Sequence, residues 1–436
     1  MIFAGTDEHP RGQPEVPTCA HLAGRLWRCF IAGDSWRDIW RGNRRDNRRD
    51  NRGDNRSHTS GDNRGMETVD INRLTSQVLW ASFALALAFG AIAQRTRFCT
   101  MGAVADVVNM GDWERARMWA LAVAVAVLGF NAMVALGWVQ AGNSIYAAPR
   151  VLWLSALVGG AMFGFGMVLA SGCGSKNLLR LGSGNLKALV VVLVLGLSAF
   201  ITLRGIIGVL RVNTLEKVFF ELPGGQDLPT LGAAAFGVPA PTLALAIGAG
   251  LALLLLLWVL SKPEGRSGEV LLGGIGIGAV VAATWWVSGK LGYVPEDPNT
   301  LEPAFLATNS RRMESLSMVA PVAYTLDWLI FFSDTSKTLT LGIVSVVGLA
   351  LGACGVALLT RSFRWEGFGS VEDLANHLAG GVLMGVGGVV AMGCTIGQGL
   401  SGIATLSLGS FIALGGIVAG AVGALRYQGW RLDRMA

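Results

Sequence analysis

The chain has 436 residues, of which 52% are hydrophobic and only 15% charged, with 60 glycines and a mean hydropathy of +0.51. That leaves too little charge to cover a soluble domain, and apolar runs of about 20 residues recur, each long enough to cross a hydrocarbon layer of about 30 Å as a helix. The formal charge of +6 comes largely from loops and from arginines near the start of the chain, so it points to no nucleic-acid partner.

Residues 1–65 do not belong with the rest. Asn43-Arg-Arg-Asp46, Asn47-Arg-Arg-Asp50 and Asn51-Arg-Gly-Asp54 repeat without a bulky apolar residue, cannot bury a core, and are expected to form a disordered leader. No secretory signal precedes them, because 19–30 is too short and too interrupted to be one. Met66 opens Glu67-Thr-Val-Asp-Ile-Asn-Arg73 just before the first apolar run and is the expected start of translation.

From Leu74 the apolar segments fall at 74–94, 116–139, 151–171, 186–203, 241–260, 269–288, 338–359, 373–392 and 403–424, about nine spans of an all-α polytopic membrane protein. Two shorter stretches, 98–110 and 315–332, read as re-entrant or interfacial elements, and Pro321 favours a break in the second. Residues 203–218 space Arg204, Arg211 and Lys217 among aliphatic residues and read as an interfacial amphipathic helix. The transporter domain is expected over 66–425, as halves at 74–203 and 269–424 joined by a linker at 204–268, with a tail at 426–436. Arg95, Arg97, Arg115, Arg117, Lys176, Arg180, Lys187, Arg361 and Arg364 fall on one side of this count, which the positive-inside rule makes cytoplasmic together with the C-terminus.

Residues 159–179 return at 380–400. Gly160, Gly164, Gly172 and Cys173 pair with Gly381, Gly385, Gly393 and Cys394, an internal repeat of the kind found in transporters built from related halves. Five spans separate the two copies, and an odd number reverses direction, so the repeat is expected to be inverted. The glycines by themselves read as helix-packing faces. The cysteines ask for more, because each stands in the same frame where a helix ends and polar residues begin, Gly174-Ser-Lys-Asn177 or Thr395-Ile-Gly-Gln398. A thiol is a weak donor and a soft, polarizable acceptor, suited to sulfur-bearing or selenium-bearing substrates.

Cys99, in Arg97-Phe-Cys-Thr-Met-Gly-Ala103, is a small buried residue or a third functional thiol, and Cys354 reads as packing. Lys176 either snorkels to the interface or faces the central cavity and attracts an anion, with Asn177, Ser171 and Gln398 as neutral hydrogen-bond partners. Asp106 is an acid that can pair with Arg95 or Arg97. His377 stands 17 residues before Cys394 on one helix, about 25 Å of rise, and cannot share a metal with that thiol. The cysteines carry no CxxC spacing, against a disulfide framework, a four-cysteine zinc site or a redox relay with a nearby resolving thiol. Walker A, HExxH and GxSxG patterns, and a GxGxxG in a strand-turn-helix context, are missing, so neither an ATP-driven pump nor a common membrane hydrolase is expected, and no cofactor.

Arg97-Phe-Cys-Thr-Met-Gly-Ala103, Gly164-Phe-Gly-Met-Val-Leu-Ala-Ser-Gly-Cys173 and Gly385-Val-Gly-Gly-Val-Val-Ala-Met-Gly-Cys-Thr-Ile-Gly397 resemble the YeeE/YedE (sulphur transport) family of bacterial inner-membrane proteins. The resemblance covers roughly residues 74–425 and implies an hourglass-shaped transporter of two pseudo-symmetric halves that takes up thiosulfate. It implies that Cys99, Cys173 and Cys394 line the path and relay the anion through S–H hydrogen bonds. The second half departs from this pattern, offering only Ser317 and Met318 where a counterpart of Cys99 would stand. Some relatives are linked to selenium metabolism, which leaves the substrate open. The expected function is therefore a permease for thiosulfate or a related sulfur anion. The alternatives are transport of a selenium compound and a membrane relay of electrons or sulfane sulfur. A small sulfurtransferase-type protein is expected as a partner on the cytoplasmic side.

Overall fold

The structure, a computed structural model, describes residues 62–222, 224–297 and 301–435. The leader read at 1–65 lies, up to residue 61, outside the described residues. Helix α1 (Asp62–Arg95) leads through a tight turn to the short α2 (Thr100–Met110), and α3 (Glu114–Ala135) follows. Then come α4 (Trp153–Leu169), the short α5 (Gly174–Gly182) and α6 (Leu186–Arg204). A connecting region holds α7 (Ile206–Asn213), α8 (Leu228–Phe236) and α9 (Ala240–Leu260). The second half repeats the order with α10 (Gly268–Trp286), the short α11 (Val319–Ile330), α12 (Leu341–Leu359) and α13 (Val371–Val390). A π-helical turn (Gly397–Gly402) stands where α5 stood, and α14 (Leu408–Met435) ends the fold. Two-residue antiparallel ribbons tie the loops, β1 (Arg150–Val151) to β2 (Phe220–Glu221) and β3 (Tyr293–Val294) to β4 (Ala304–Phe305).

Among the described residues 8 segments can cross a membrane by length and composition, with α1–α2 and α4–α5 each forming one continuous segment. The sequence suggests one more, over α13. That helix has 20 residues, but its first turns carry Glu372, Asp373 and Asn376, which dilute its hydropathy. The re-entrant stretches become α2 and α11. Pro321 does not break α11, because it lies in the first turn, where a missing N–H costs nothing. In α7, Ile206, Val209 and Leu210 are exposed, while Arg211 turns inward to Glu216.

Glycine decides the packing at the centre. Gly159 of α4 lies against Ala391 and Gly387, and Gly166 against Gly380, so the two equivalent helices α4 and α13 run antiparallel and the halves are inverted. A methyl group on Gly164 would collide with the Ile417 carbonyl of α14, and one on Gly385 with Leu195 and Ser198 of α6. Gly160 and Gly381 meet the same two partners, against Ala413 and Val194. Helices that cannot gain hydrophobic free energy inside a lipid phase associate by this backbone-to-backbone contact. Arg95–Glu269, Lys187–Asp373 and Arg431–Glu372 pairs collect at the end of the bundle we call the first face. Arg150–Glu221 and Lys337–Asp327 mark the opposite, second face.

Candidate functional site

One kind of turn precedes all three thiols; it also ends α12, where Arg361 has φ of 55° and Ser362 N–H donates to Ala357 O (2.8 Å), with no thiol after it. At the ends of α1, α4 and α13 the residues Arg97, Ser171 and Met392 have φ of 53°, 54° and 57°. The next residue in each case donates its N–H five residues back, Phe98 to Ala93 O (3.0 Å), Gly172 to Met167 O (2.8 Å) and Gly393 to Gly388 O (2.8 Å). This is the bonding that closes a helix with a left-handed residue, here without the glycine that normally fills it. The residue after each closure is Cys99, Cys173 or Cys394. Each thiol therefore opens the next short element. Cys99 Sγ accepts from Gly102 N–H (3.3 Å), and Cys394 Sγ accepts from Gly397 N–H (3.4 Å), while Cys173 Sγ lies 3.2 Å from Ser175 Oγ. A sulfur that accepts from a helix N–H uses a lone pair for that bond and not its S–H.

The three thiols are buried and free, at 9%, 1% and 0% exposure for Cys99, Cys173 and Cys394. Cys99 and Cys173 are close neighbours, and Thr395, the neighbour of Cys394, approaches Cys173. The absence of CxxC spacing thus hides a close thiol pair assembled from distant segments. Met318 completes the ring: its Cβ faces Gly174 and its backbone N–H approaches Cys394. Met318 is the N-cap of α11, as Cys99 is of α2. The second half therefore does have a counterpart of Cys99, a thioether in place of a thiol. The buried hydroxyls of Thr100 and Thr395 and the Oδ1 of Asn177 have no hydrogen-bond partner.

Asn177 and Gln398 occupy equivalent positions and brace the turns. Asn177 Nδ2 donates to Gly172 O (2.8 Å), and Gln398 Nε2 donates to Ala391 O (2.6 Å) while Ser410 Oγ donates to Gln398 Oε1 (2.6 Å). Gly172 and Gly393 leave room for these side chains to fold back. Tyr146, unremarkable in the sequence, donates to Gly397 O (2.7 Å) and stacks edge-on against Trp285.

Cavities lie on both sides of this ring, lined by neighbours of the thiols and not by the thiols themselves. On the first face a cavity of 550 Å³ is lined by Arg95, Arg97, Lys176 and Thr360, so Lys176 faces an open cavity next to the thiols. On the second face a cavity of 190 Å³ runs past Glu314, Tyr324, Tyr146 and Ser317 to Gly393. Burial pushes the Glu314 carboxyl up to about 7. Asp106 pairs with neither Arg95 nor Arg97 but with Arg115, at 3.2 Å, and Arg95 is held by Glu269. His377 bonds to Asp373 at the first face, far along α13 from Cys394. Among the described residues no cluster could hold a metal ion.

Comparison with known proteins gives a family model, "Sulphur transport", matching residues 95–423. The chain is 28% identical over 349 residues to "Thiosulfate transporter TsuA" of Spirochaeta thermophila, covering 77% of this chain and 94% of that one. It is 26% identical over 335 residues to "Thiosulfate transporter TsuA" of Escherichia coli, covering 74% and 87%. A shorter match, 32% over 98 residues and 22% of each chain, is to "Probable transporter YedE" of Salmonella typhimurium.

Proposed function

Because the chain belongs to the sulphur transport family, and is thus a multi-pass membrane transporter rather than an enzyme, we propose that it carries thiosulfate through its centre by way of Cys394, Cys173 and Cys99. The observation that carries this reading is that the same turn precedes each of three buried thiols at the start of a short helical element, between cavities on opposite faces. The names of the two long relatives support thiosulfate as the substrate.

A thiosulfate dianion entering such a site gives up water, and its terminal sulfur accepts only weak hydrogen bonds. An S–H donor replaces that loss in kind without holding the ion too tightly to leave, while helix N-termini offset the charge of the oxygen end. In this reading Lys176 attracts the anion at the first-face cavity. Asn177 and Gln398 act by holding the turns, since their amide donors are spent on backbone carbonyls. The excess of Arg and Lys at the first face supports placing it in the cytoplasm of a bacterial inner membrane, with uptake running from the second face to the first. A small sulfurtransferase-type protein would collect the anion where that cavity opens; co-purification with the full chain tests this.

The closeness of Cys99 and Cys173 favours a second reading, a thiol relay passing sulfane sulfur or electrons. One experiment separates the two. A strain lacking its own sulfur uptake, expressing this chain, should grow on thiosulfate as sole sulfur source and not on sulfate. Equal growth on both, or on neither, would remove the permease reading.

A further inference from the structure

We propose that Glu314 is a proton-operated gate of the second-face cavity: the anion passes toward Cys394 when this carboxyl holds its proton, and is repelled when it does not. The inference rests on the transport reading above and adds to it a residue that neither the repeat nor the thiols bring to notice.

Glu314 lies in the loop before α11, in the wall of the cavity that ends at Gly393. Its carboxylate oxygens accept from Asn309 N–H (3.1 Å) and Ser310 Oγ (3.3 Å), and its own N–H donates to Ser288 Oγ (2.9 Å), so the group is fixed in place. Among the described ion pairs none includes it, although cations stand near. Arg211 of α7 is engaged by Glu216 at 2.9 Å, and Arg312 reaches toward the Ser144 carbonyl. An anion binder normally avoids a carboxylate in its wall. When ionised, the half-buried Glu314 puts negative charge in the wall that a dianion must pass. When protonated it removes that repulsion and offers an O–H to the oxyanion end.

The other groups facing it hold their charge across the relevant range. Burial pushes the Tyr146 phenol up, so it stays neutral, and Tyr324 of α11 faces the same cavity as a second phenol. Arg204 and Arg211 bring guanidinium groups to this side, and Asp327, behind Tyr324, is paired with Lys337. The carboxyl of Glu314, raised to about 7 by burial, is the group that changes charge between slightly acidic and slightly alkaline conditions.

The test uses the full chain in liposomes, with uptake of labelled thiosulfate measured at external pH from about 6 to about 8. A midpoint near 7 cuts the protonated fraction roughly tenfold over that range, so wild-type uptake should fall by about that factor. Glu314→Gln keeps an acceptor for Asn309 and no charge; its uptake should vary by less than about twofold. In the same liposomes infrared spectroscopy should detect a protonated carboxyl band that disappears between these pH values in wild type and is missing from Glu314→Gln. A Glu314→Gln profile with the wild-type pH dependence overturns the gate, as does a carboxyl that stays ionised throughout. Should the wild type take up no thiosulfate at any pH, the substrate assignment fails, and the infrared titration still decides whether Glu314 holds a proton.

Discussion

Cys173 and Cys394 carry the functional claim at the scale of single residues, because each is held by backbone geometry that a serine could share. Serine has similar shape but is a smaller, harder donor, so Cys173→Ser and Cys394→Ser should fold while matching a sulfur ligand poorly. A lost interaction of about 1.4 kcal/mol is about tenfold in rate, and uptake of labelled thiosulfate by either variant should drop by at least that factor at wild-type membrane levels. Cys354→Ser, in the middle of α12 and away from the ring, should transport at the wild-type rate. Wild-type uptake by both path variants would end the relay. Gln398 makes a different prediction. Gln398→Ala leaves the Ala391 carbonyl and the Ser410 hydroxyl unpaired in a buried turn, a cost of about 1–3 kcal/mol for each such group. The variant should therefore melt earlier in detergent as well as transport less, whereas the serine variants should melt as wild type does.

Among the elements, α4 and α13 matter most, since their glycine faces set how close the neighbouring backbones come. Gly164→Ala places a methyl group against the Ile417 carbonyl, which is backbone and cannot rotate away, so α4 and α14 must separate. Overpacking of this kind costs about 1–3 kcal/mol, and thermal unfolding in detergent should show the loss. Gly250→Ala on α9 meets open space and gains helix propensity, so its unfolding temperature should stay level or rise. Equal behaviour of the two variants would mean that the glycine face does not hold the helices together.

At the scale of the molecule, antiparallel contact between α4 and α13 makes the halves inverted, and the residues just before these helices must lie on opposite sides of a membrane. Pro149→Cys and Gly369→Cys, both at exposed positions, report on this in a background without the native cysteines. An impermeant thiol reagent should label one of them from outside and the other only after permeabilisation. Labelling of both from the same side would contradict the inversion.

What the sequence determined by itself was whatever depends on runs and repeats along the chain. Apolar length placed the spans, because a helix must satisfy its own backbone in lipid, and the offset of 221 residues between Cys173 and Cys394 exposed the doubled motif. The tertiary structure decided what depends on distant segments meeting. The left-handed turns before the thiols are filled by Arg97, Ser171 and Met392, residue types that do not announce such a backbone. Met318 was in view but read as no counterpart, since it is not a thiol and 318 − 99 gives 219 rather than 221; the shared N-cap position relates it to Cys99. The amides of Asn177 and Gln398 read from sequence as ligand groups, yet folding turns them back onto the carbonyls that end their own helices. Glu314 had no pattern to mark it, since a lone acid in a loop acquires its unusual proton affinity only from the walls that fold around it.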